Sequence, residues 1–271
     1  MKGILAVNHF LTGEKYNTLH RHLLESAAAC GVGLELRTNL ELALDAPAAD
    51  FVLFWDKDVN LAARLEKNGI PVFNSAKSIA LCDDKAKTYI ALGGIVKQPE
   101  TLASPMTYFK ADLSEFVNGA VRRLGLPLVF KECYGSFGEQ VFLCKSKADI
   151  LRHITEKPFI LQEFIESAAG RDIRIEVVGG KAVCAVRREN KNDFRANVTN
   201  GGSMTPYTPS AEEKQTAVAA CEALGLTFGG VDLFEGGIVC EVNSNAHIIN
   251  IMNCTGVDIA PLIFEEIRSR L

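Results

Sequence analysis

The stretch GGVDLFEGGIVCEVNSN, residues 229–245, decides how the rest of the chain is interpreted. Two apolar segments flank its central Gly-Gly pair, which predicts two antiparallel strands joined by a hairpin turn. With those glycines as the loop, Asp232 lies directly opposite Glu241. Asn243 follows two residues later and shares the face of Glu241, because side chains alternate along a strand. The hairpin therefore places two carboxylates and an amide together.

This pair of acids needs an explanation, since like charges that face each other destabilise a sheet. A bound Mg²⁺ would remove the conflict, because Mg²⁺ takes one or two carboxylates and shares its other positions with water and substrate phosphates. The hairpin then indicates a nucleotide site. In the alternative, the hairpin is partly exposed and its acids face solvent.

Composition sets the class of protein. The 271 residues suffice for two or three packed units, and 23% charged with 48% hydrophobic residues is typical of a folded soluble protein. A net charge of -4 gives no indication of a basic surface that binds nucleic acid. No segment approaches the roughly 18 to 20 apolar residues that span a membrane. The eight cysteines form no C-x-x-C pair, so we expect reduced thiols and a cytoplasmic protein.

The chain divides into three blocks, with α/β character first and α+β character in the C-terminal part. Residues 1–84 alternate strand and helix and predict a parallel α/β domain, without a G-x-G-x-x-G motif. Residues 85–157 predict helix, strand, loop, strand and helix. Residues 158–271 are dominated by strands, beginning with FILQEF. Predicted helix starts are marked by an N-cap at Asp58 and by capping boxes at Asp112/Glu115, Ser146/Asp149 and Ser210/Glu213.

Two further motifs carry candidate chemistry. Lys131 ends an apolar strand and precedes YGSFG, residues 134–138, whose glycines let backbone N–H groups approach a phosphate. In the alternative, this loop is an ordinary turn. The second motif is DFRAN, where Arg195 and Asn197 follow Arg187 and Arg188 on a turn-rich stretch and offer donors for phosphate or carboxylate oxygens.

The segment GRDIRIEVVGGKAVCAVRR predicts another hairpin with a Gly-Gly loop. In that register Asp172 faces Arg187. Asp172, Arg174 and Glu176 share one face, and we expect Arg174 and Glu176 to form an exposed ladder of charges on a half-buried sheet.

The order of these motifs resembles the ATP-grasp superfamily, and within it the RimK-like group of ribosomal-protein glutamate ligases. The resemblance runs the whole chain, and six motifs carry it: NSAKSIALCDDKAKT, VFKECYGSFGEQV, QEFIESAAGRDIRIEVVGG, RRENKNDFRANVTNGG, GGVDL with CEVNSN, and NCTGVDIA. It implies an N-terminal parallel α/β domain followed by two α+β subdomains that clasp ATP. It also favours the metal interpretation of the hairpin.

The resemblance implies a role for each candidate residue. ATP would be bound by Lys85, Lys131, Gly135, Ser136, Gly138, Gln162, Glu163, Phe164 and the ribose-side acid Asp172. Mg²⁺ or Mn²⁺, as two ions, would be held by Asp232, Glu241 and Asn243. The reacting groups would be steadied by Arg195, Asn197 and Arg187, with His247 on the acceptor side.

The implied activity is a carboxylate-amine ligase that forms an acyl phosphate and releases ADP and phosphate. It would add an amino acid such as glutamate to a peptide, protein or small-molecule acceptor. Two alternatives stay open, namely a ligase of free amino acids or small metabolites and a catalytically silent regulatory module that binds nucleotide. The sequence also leaves a homo-oligomer open.

The chain departs from the group's pattern at two places. Gln140 replaces a glycine near the phosphate loop. Asn245, Ala246 and His247 replace Ser-Pro-Gly beside the expected acceptor site. His247 could select or deprotonate the amine, because its ring titrates near neutrality. In the alternative, His247 is a packed histidine.

Overall fold

The computed structural model describes residues 1–45, 48–109, 111–135, 138–198 and 201–271. The first block is a parallel sheet in the order β2-β1-β3-β4. Its strands and helices are β1 (Lys2–Val7), α1 (Glu14–Ala29), β2 (Gly33–Thr38), α2 (Asn39–Leu44), β3 (Phe51–Trp55), α3 (Val59–Lys67) and β4 (Val72–Phe73). Helices cover both faces, which explains why β3 is apolar at every position.

The second block is an antiparallel sheet in the order β5-β8-β6-β7. Before it, α4 (Ala76–Asp83) still packs in the core of the first block. The elements of the second block are α5 (Lys85–Leu92), β5 (Thr101–Ala103), α6 (Ser114–Leu124), β6 (Leu128–Glu132), β7 (Val141–Cys144), α7 (Lys147–His153) and β8 (Phe159–Glu163). Grouping the FILQEF strand with the third block was wrong, because β8 hydrogen-bonds to β5 and β6.

The third block is a sheet in the order β11-β10-β9-β12-β13. It contains β9 (Arg171–Val178), β10 (Lys181–Glu189), β11 (Ser203–Pro206), α8 (Ala211–Ala223), β12 (Phe228–Phe234) and β13 (Ile238–Asn243), and a short 3-10 helix (Glu166–Ala168) precedes it. Ile173, Ile175 and Val177 share the apolar face that packs with residues of α8, as the alternation predicts.

The last two helices, α9 (Ile248–Thr255) and α10 (Ala260–Arg270), return to the first block and share its core with α1 and β3. Within the described ranges, no single helix is long and apolar enough to cross a membrane. α9 and α10 reach that length and composition only as a pair, with a bend of 120° between them. All eight cysteines are free thiols.

Three of the four predicted helix starts are confirmed by side-chain hydrogen bonds. Asp58 accepts from the Leu61 N–H, and Ser210 forms the capping box of α8. Ser146 caps α7, but the predicted capping box is incomplete because Asp149 accepts from the Lys145 N–H. The capping box at Asp112 was wrong, because α6 begins later and Asp112 hydrogen-bonds to Ser114 rather than to the Glu115 N–H.

Candidate active site

One face of the third sheet carries a group of charged residues from both hairpins. Asp232 pairs in register with Glu241, as predicted, although a bulge in β13 and a three-residue loop produce that register. Arg174 on the other side of Asp232 donates from Nε to Oδ1 at 2.6 Å and from Nη2 to Oδ2 at 2.7 Å. Asp232 is 4% exposed. A partly buried, bidentate arginine therefore offsets the conflict between the two acids.

Arg188 joins two acids into one buried network. Its Nε and Nη2 atoms donate to the two oxygens of Asp172 at 2.6 Å each, and Nη2 lies 2.9 Å from Asp232 Oδ2. Burial would lower the pKa of Arg188, but Asp232 and Asp172 raise it above its usual range. Burial would raise the pKa of Asp232, but Arg174 and Arg188 outweigh burial and lower it. Asp232 is therefore ionised at neutral pH.

The predicted pairing of Asp172 with Arg187 was wrong. A bulge near Val183 in β10 shifts the register by one residue, so Asp172 faces Arg188 and Arg187 faces Ile173. Arg187 consequently points away from the network. Its Nη2 atom lies 3.6 Å from Glu235 Oε1, and its guanidinium group lies 5.0 Å from the centre of the Tyr207 ring.

The expected exposed ladder was also wrong. Glu176 is only 3% exposed, and the side chain of Arg174 is 14% exposed. The turn after β13 covers this part of the sheet. A Cβ atom added at Gly230 would lie 3.0 Å from Ala246 Cβ and 2.9 Å from Glu176 Oε1. Glycine at this position therefore makes room for the Glu176 carboxyl group under the turn.

The two predicted lysines both reach the hairpin of β12 and β13. Lys85 Nζ lies 3.4 Å from Glu241 Oε1 and donates to Gly135 O at 3.3 Å. Lys131 is buried, with its Nζ 3.9 Å from Cys240 Sγ. Burial would raise the pKa of Glu241, but Lys85 and other cations lower it overall, so this carboxyl group is ionised.

The donor set of the hairpin fits a hard divalent cation. Asp232 and Glu241 supply carboxylate oxygens from facing positions, and Asn243 supplies an amide from the same face. Its amide oxygen is the atom that could ligate a cation, whereas its buried Nδ2 atom is a donor that has no hydrogen-bond partner among the described residues. The described residues contain no group of three or more His, Cys, Asp or Glu side chains that could hold a metal. Two carboxylates are what Mg²⁺ takes from a protein when phosphates supply other ligands.

A cleft between the second and third sheets, called the inter-sheet cleft, gathers many of the predicted ATP-binding residues. Gln162 is held in its wall because it donates to Thr101 Oγ1 at 2.8 Å, and the Glu163 N–H donates to Glu100 O at 2.8 Å. The predicted residues that line the cleft are Lys85, Lys131, Gly138, Gln162, Glu163, Phe164, Asp172, Arg195, Asn197 and Glu241.

Gly138, the last residue of the predicted phosphate loop, lines the inter-sheet cleft. Arg195 donates from Nη1 to Gly138 O at 2.5 Å, and its Nη2 atom lies 2.6 Å from Asp193 Oδ2. Gln140 Oε1 is buried and has no partner among the described residues, and it lies where a Cβ at Gly135 would approach to 2.5 Å. Gln140 therefore packs against the loop. The predicted Ser136 lies outside the described residues.

A larger cavity of about 560 Å³, called the main cavity, lies where the three blocks meet. Arg174, Arg188, Asn243 and His247 line it from the third block. Asn197 and Glu241 line both this cavity and the inter-sheet cleft. The two spaces therefore adjoin at a predicted metal ligand.

His247 lies in the wall of the main cavity. Its Nε2 atom is 3.3 Å from Lys15 O, and its buried Nδ1 atom has no hydrogen bond to any residue that the structure describes. Burial lowers the pKa of His247, so the ring is neutral near pH 7. His20 from α1 lines the same cavity, and burial together with His247 lowers its pKa too.

Comparison with known families matches residues 74–267 to the RimK-like ATP-grasp domain. The chain belongs to the RimK-like ATP-grasp family. The predicted resemblance is thereby confirmed, and this RimK-like chain is an ATP-grasp ligase of the carboxylate-amine ligase family that binds ATP.

Individual relatives agree with that assignment. A probable alpha-L-glutamate ligase of Maridesulfovibrio salexigens is 34% identical over 215 residues, which cover 75% of this chain and 69% of the relative. Beta-citrylglutamate synthase B of Danio rerio is 30% identical over 256 residues, 88% of this chain and 62% of the relative. The crystal structure of D-cycloserine synthetase DcsG matches with a TM-score of 0.82 at 15% identity, covering 100% and 99% of the two chains. The last similarity shows the ATP-grasp fold of the RimK-like chain.

Sequence reasoning missed Arg188 as the partner of Asp172 and missed the burial of Arg174 and Glu176 in this RimK-like site. The adjacent arginines were visible as a pair, but a bulge decides which of them faces Asp172. No sequence signal marks that bulge.

Glu176 makes the stability of the RimK-like chain depend on pH. Burial raises its pKa from 4.5 to about 7, although Arg174 opposes the shift. The stabilising contribution of the protonated group is complete below pH 4.5 and is lost as pH rises through 7. We therefore expect Glu176→Gln to be about 3 kcal/mol more stable than the unmodified protein at pH 8, with little difference at pH 4.5. Urea unfolding at both pH values measures this, and equal stability at pH 8 would contradict it.

Proposed function

We propose that the chain forms an amide through an acyl phosphate. A substrate carboxylate oxygen attacks the γ-phosphorus of ATP, and the bond to ADP breaks. The amine nitrogen of a second substrate then attacks the acyl carbon, loses a proton, and releases phosphate. The observation that carries this proposal is that Asn197 and Glu241 line both the inter-sheet cleft and the main cavity, so the two spaces adjoin there. Phosphoryl transfer requires such positioning more than covalent help from the protein.

The chain's cations would neutralise the phosphates. Lys85 and Lys131 lie in the inter-sheet cleft and would hold the α- and β-phosphates. Asp232, Glu241 and Asn243 would hold Mg²⁺ or Mn²⁺, which as two ions would neutralise charge on the β- and γ-phosphates when bound.

Several donors would act on the reacting groups. Arg195 and Asn197 would contact the transferring phosphoryl group from the cleft. Arg174 and Arg188 would take the role first expected for Arg187, because they line the main cavity with Glu241.

His247 would serve the amine substrate. Its ring faces the main cavity and is neutral near pH 7, because burial lowers its pKa. A neutral ring can accept the proton that the amine loses.

The main cavity favours small-molecule substrates over a protein acceptor. Its 560 Å³ falls within the roughly 300–1,000 Å³ of small-molecule sites, and all three blocks wall it. An amino acid such as glutamate fits the names of the relatives, so we propose an amino acid as one of the two substrates. Free reduced cysteines support a cytoplasmic location. A silent regulatory module is disfavoured, since both lysines and all three oxygen ligands are present.

Product analysis tests the proposal. Purified protein is incubated with Mg·ATP and panels of amino acids and dicarboxylic acids, and nucleotide products are separated. We expect ADP and phosphate in equal amounts, together with an amide. AMP and pyrophosphate would overturn the acyl-phosphate route.

The variant Lys131→Met tests whether Lys131 binds ATP. Loss of a buried charge-assisted contact with phosphate is expected to weaken ATP binding about 10- to 100-fold. Lys181→Met, at the exposed start of β10, should leave the affinity unchanged. Calorimetry measures both, and normal ATP affinity in Lys131→Met would remove Lys131 from the nucleotide site.

A further inference from the structure

The first block has a crevice at the carboxyl ends of its two central strands. In the order β2-β1-β3-β4, the chain passes from β1 to β2 on one side of the sheet and from β3 to β4 on the other side. The strand order therefore reverses between β1 and β3. Open parallel sheets bind ligands outside the carboxyl ends of strands at such a switch point. The residues that follow these strands, Asn8 and Asp56, both line the main cavity.

Asp56 is a buried carboxylate that pairs with no cationic side chain of the described residues. It is 5% exposed, and Asn8 Nδ2 donates to its Oδ1 and Oδ2 atoms at 3.0 and 3.3 Å. The Lys57 N–H donates to Oδ1 at 2.7 Å, whereas Lys57 Nζ binds Asp83 at 2.6 Å. Among the described residues, only amide groups contact Asp56. Burial, despite these hydrogen bonds, raises the pKa of Asp56, and Asp58 and Asp83 add to the shift. A cationic ligand would remove this penalty.

Residues of the first block next to this crevice pack against the third block. Trp55, beside Asp56, stacks on Phe228 with ring centres 5.5 Å apart and planes 11° from parallel. Asn74 donates from Nδ2 to Ser244 O at 2.7 Å and to Phe228 O at 2.8 Å. The wall of this cavity from the first block carries Asp56 with Lys15 and Lys57, and Lys57 Nζ is bound to Asp83. The wall from the third block carries Arg174 and Arg188 with Glu241.

This charge distribution matches a substrate that is itself dipolar. Anionic groups, a carboxylate or a transferred phosphoryl group, would lie on the arginine side, and a cation would lie at Asp56. A carboxylate stabilises the protonated form of an amine, which is not nucleophilic. The cation at Asp56 would therefore be an ammonium group that does not react.

We propose that Asp56 and Asn8 form a subsite for the non-reacting ammonium group of an amino-acid substrate. The inference rests on the proposed ligase function, which it deepens by naming a recognition group. A primary ammonium offers three N–H donors, and the Asp56 oxygens can accept more hydrogen bonds than Asn8 and Lys57 supply. Asp56 would select amino acids over carboxylic acids that lack the amine.

Fluorescence of Trp55 tests this subsite directly, because it is the only tryptophan in the sequence and lines the same cavity. The twenty proteinogenic amino acids are titrated in the presence of Mg²⁺ and a non-hydrolysable ATP analogue, each beside its analogue without the amine. We expect at least one amino acid to saturate a fluorescence change, with the analogue binding at least about 10-fold more weakly. This comparison uses the unmodified protein, so it does not depend on a variant that folds.

Asp56→Asn keeps the shape of the side chain and removes its charge, so we expect at least about a 10-fold loss of amino-acid affinity. Asp50→Asn, at the other end of β3 and exposed, is the control and should bind normally. ATP affinity should be unchanged in both variants.

Three results would overturn the subsite: no binding by any amino acid at millimolar concentration, equal binding of the analogue without the amine, or normal affinity in Asp56→Asn. Failure of the ligase proposal gives a different result, namely AMP and pyrophosphate in the product analysis. ADP formation that is unaffected by Asp56→Asn would overturn the subsite alone.

Discussion

Replacing Arg188 with Met is expected to lower the free energy of unfolding by about 3–5 kcal/mol. Arg188 is 5% exposed and is bound to Asp172 and Asp232, so its loss leaves buried carboxylates without their shared cation. Breaking one side of a buried pair is costly because the remaining charge stays away from water. Urea unfolding at pH 7 measures the change.

Arg187→Met is the matched control, one residue earlier on the same strand. Arg187 is 37% exposed in its side chain and makes only the 3.6 Å contact with Glu235 and the contact with Tyr207 among the described residues. Exposed pairs of this kind contribute about 0–1 kcal/mol, so Arg187→Met should change stability little. The reverse order, with Arg187→Met the more damaging substitution, would show that the strand has the register without the bulge.

These two arginines show where sequence reasoning ends. Both Gly-Gly turns and both hairpins could be predicted, because glycines supply the positive φ values that such turns need; Gly179, Gly180, Gly236 and Gly237 all adopt them. A bulge adds one residue to one strand and turns every later side chain to the other face. In β13 the bulge compensates for a longer loop, so Asp232 still faces Glu241. In β10 nothing compensates, and Arg188 replaces Arg187 opposite Asp172.

Burial was the second feature that the sequence could not supply. Alternation indicated which side chains share a face with Asp172, but whether that face meets water depends on what packs over it. The turn at Ala246 covers Glu176, and Arg174 lies in the wall of the main cavity between the blocks rather than on the outer surface. The strand β8 shows the same limit, because its apolar residues fit either sheet and only its hydrogen bonds to β5 and β6 decide. Long-range contacts of this kind leave no local pattern.

The buried arginines also change how the hairpin acids are understood. A metal ion is not required to hold Asp232 and Glu241 together, because Arg174, Arg188 and Lys85 already offset their charge. The case for a metal therefore depends on the oxygen donors and on the family, rather than on repulsion. It follows that Asp232 has structural as well as functional partners, and that a substitution there would mix the two effects.

Glu241→Gln isolates the proposed metal role, and we expect it to lower turnover about 10²- to 10³-fold. The Glu241 side chain is 36% exposed, and its ion pair with Lys85 at 3.4 Å is long, so its loss should change stability by less than about 1 kcal/mol. Gln keeps the shape of the side chain but is a poorer ligand for Mg²⁺, so less charge is neutralised as the γ-phosphoryl group transfers. ADP release at saturating ATP and Mg²⁺ measures turnover, and urea unfolding in EDTA measures stability without metal.

Glu235→Gln in the turn of the same hairpin is the control. Its side chain is 62% exposed and its contact is with Arg187, away from both cavities, so turnover and stability should stay near those of the unmodified protein. Turnover of Glu241→Gln within a factor of about ten of normal would remove Glu241 from the metal site. A loss of several kcal/mol in EDTA would instead show that the Glu241 carboxylate, like that of Asp232, is held chiefly to balance the chain's own buried cations.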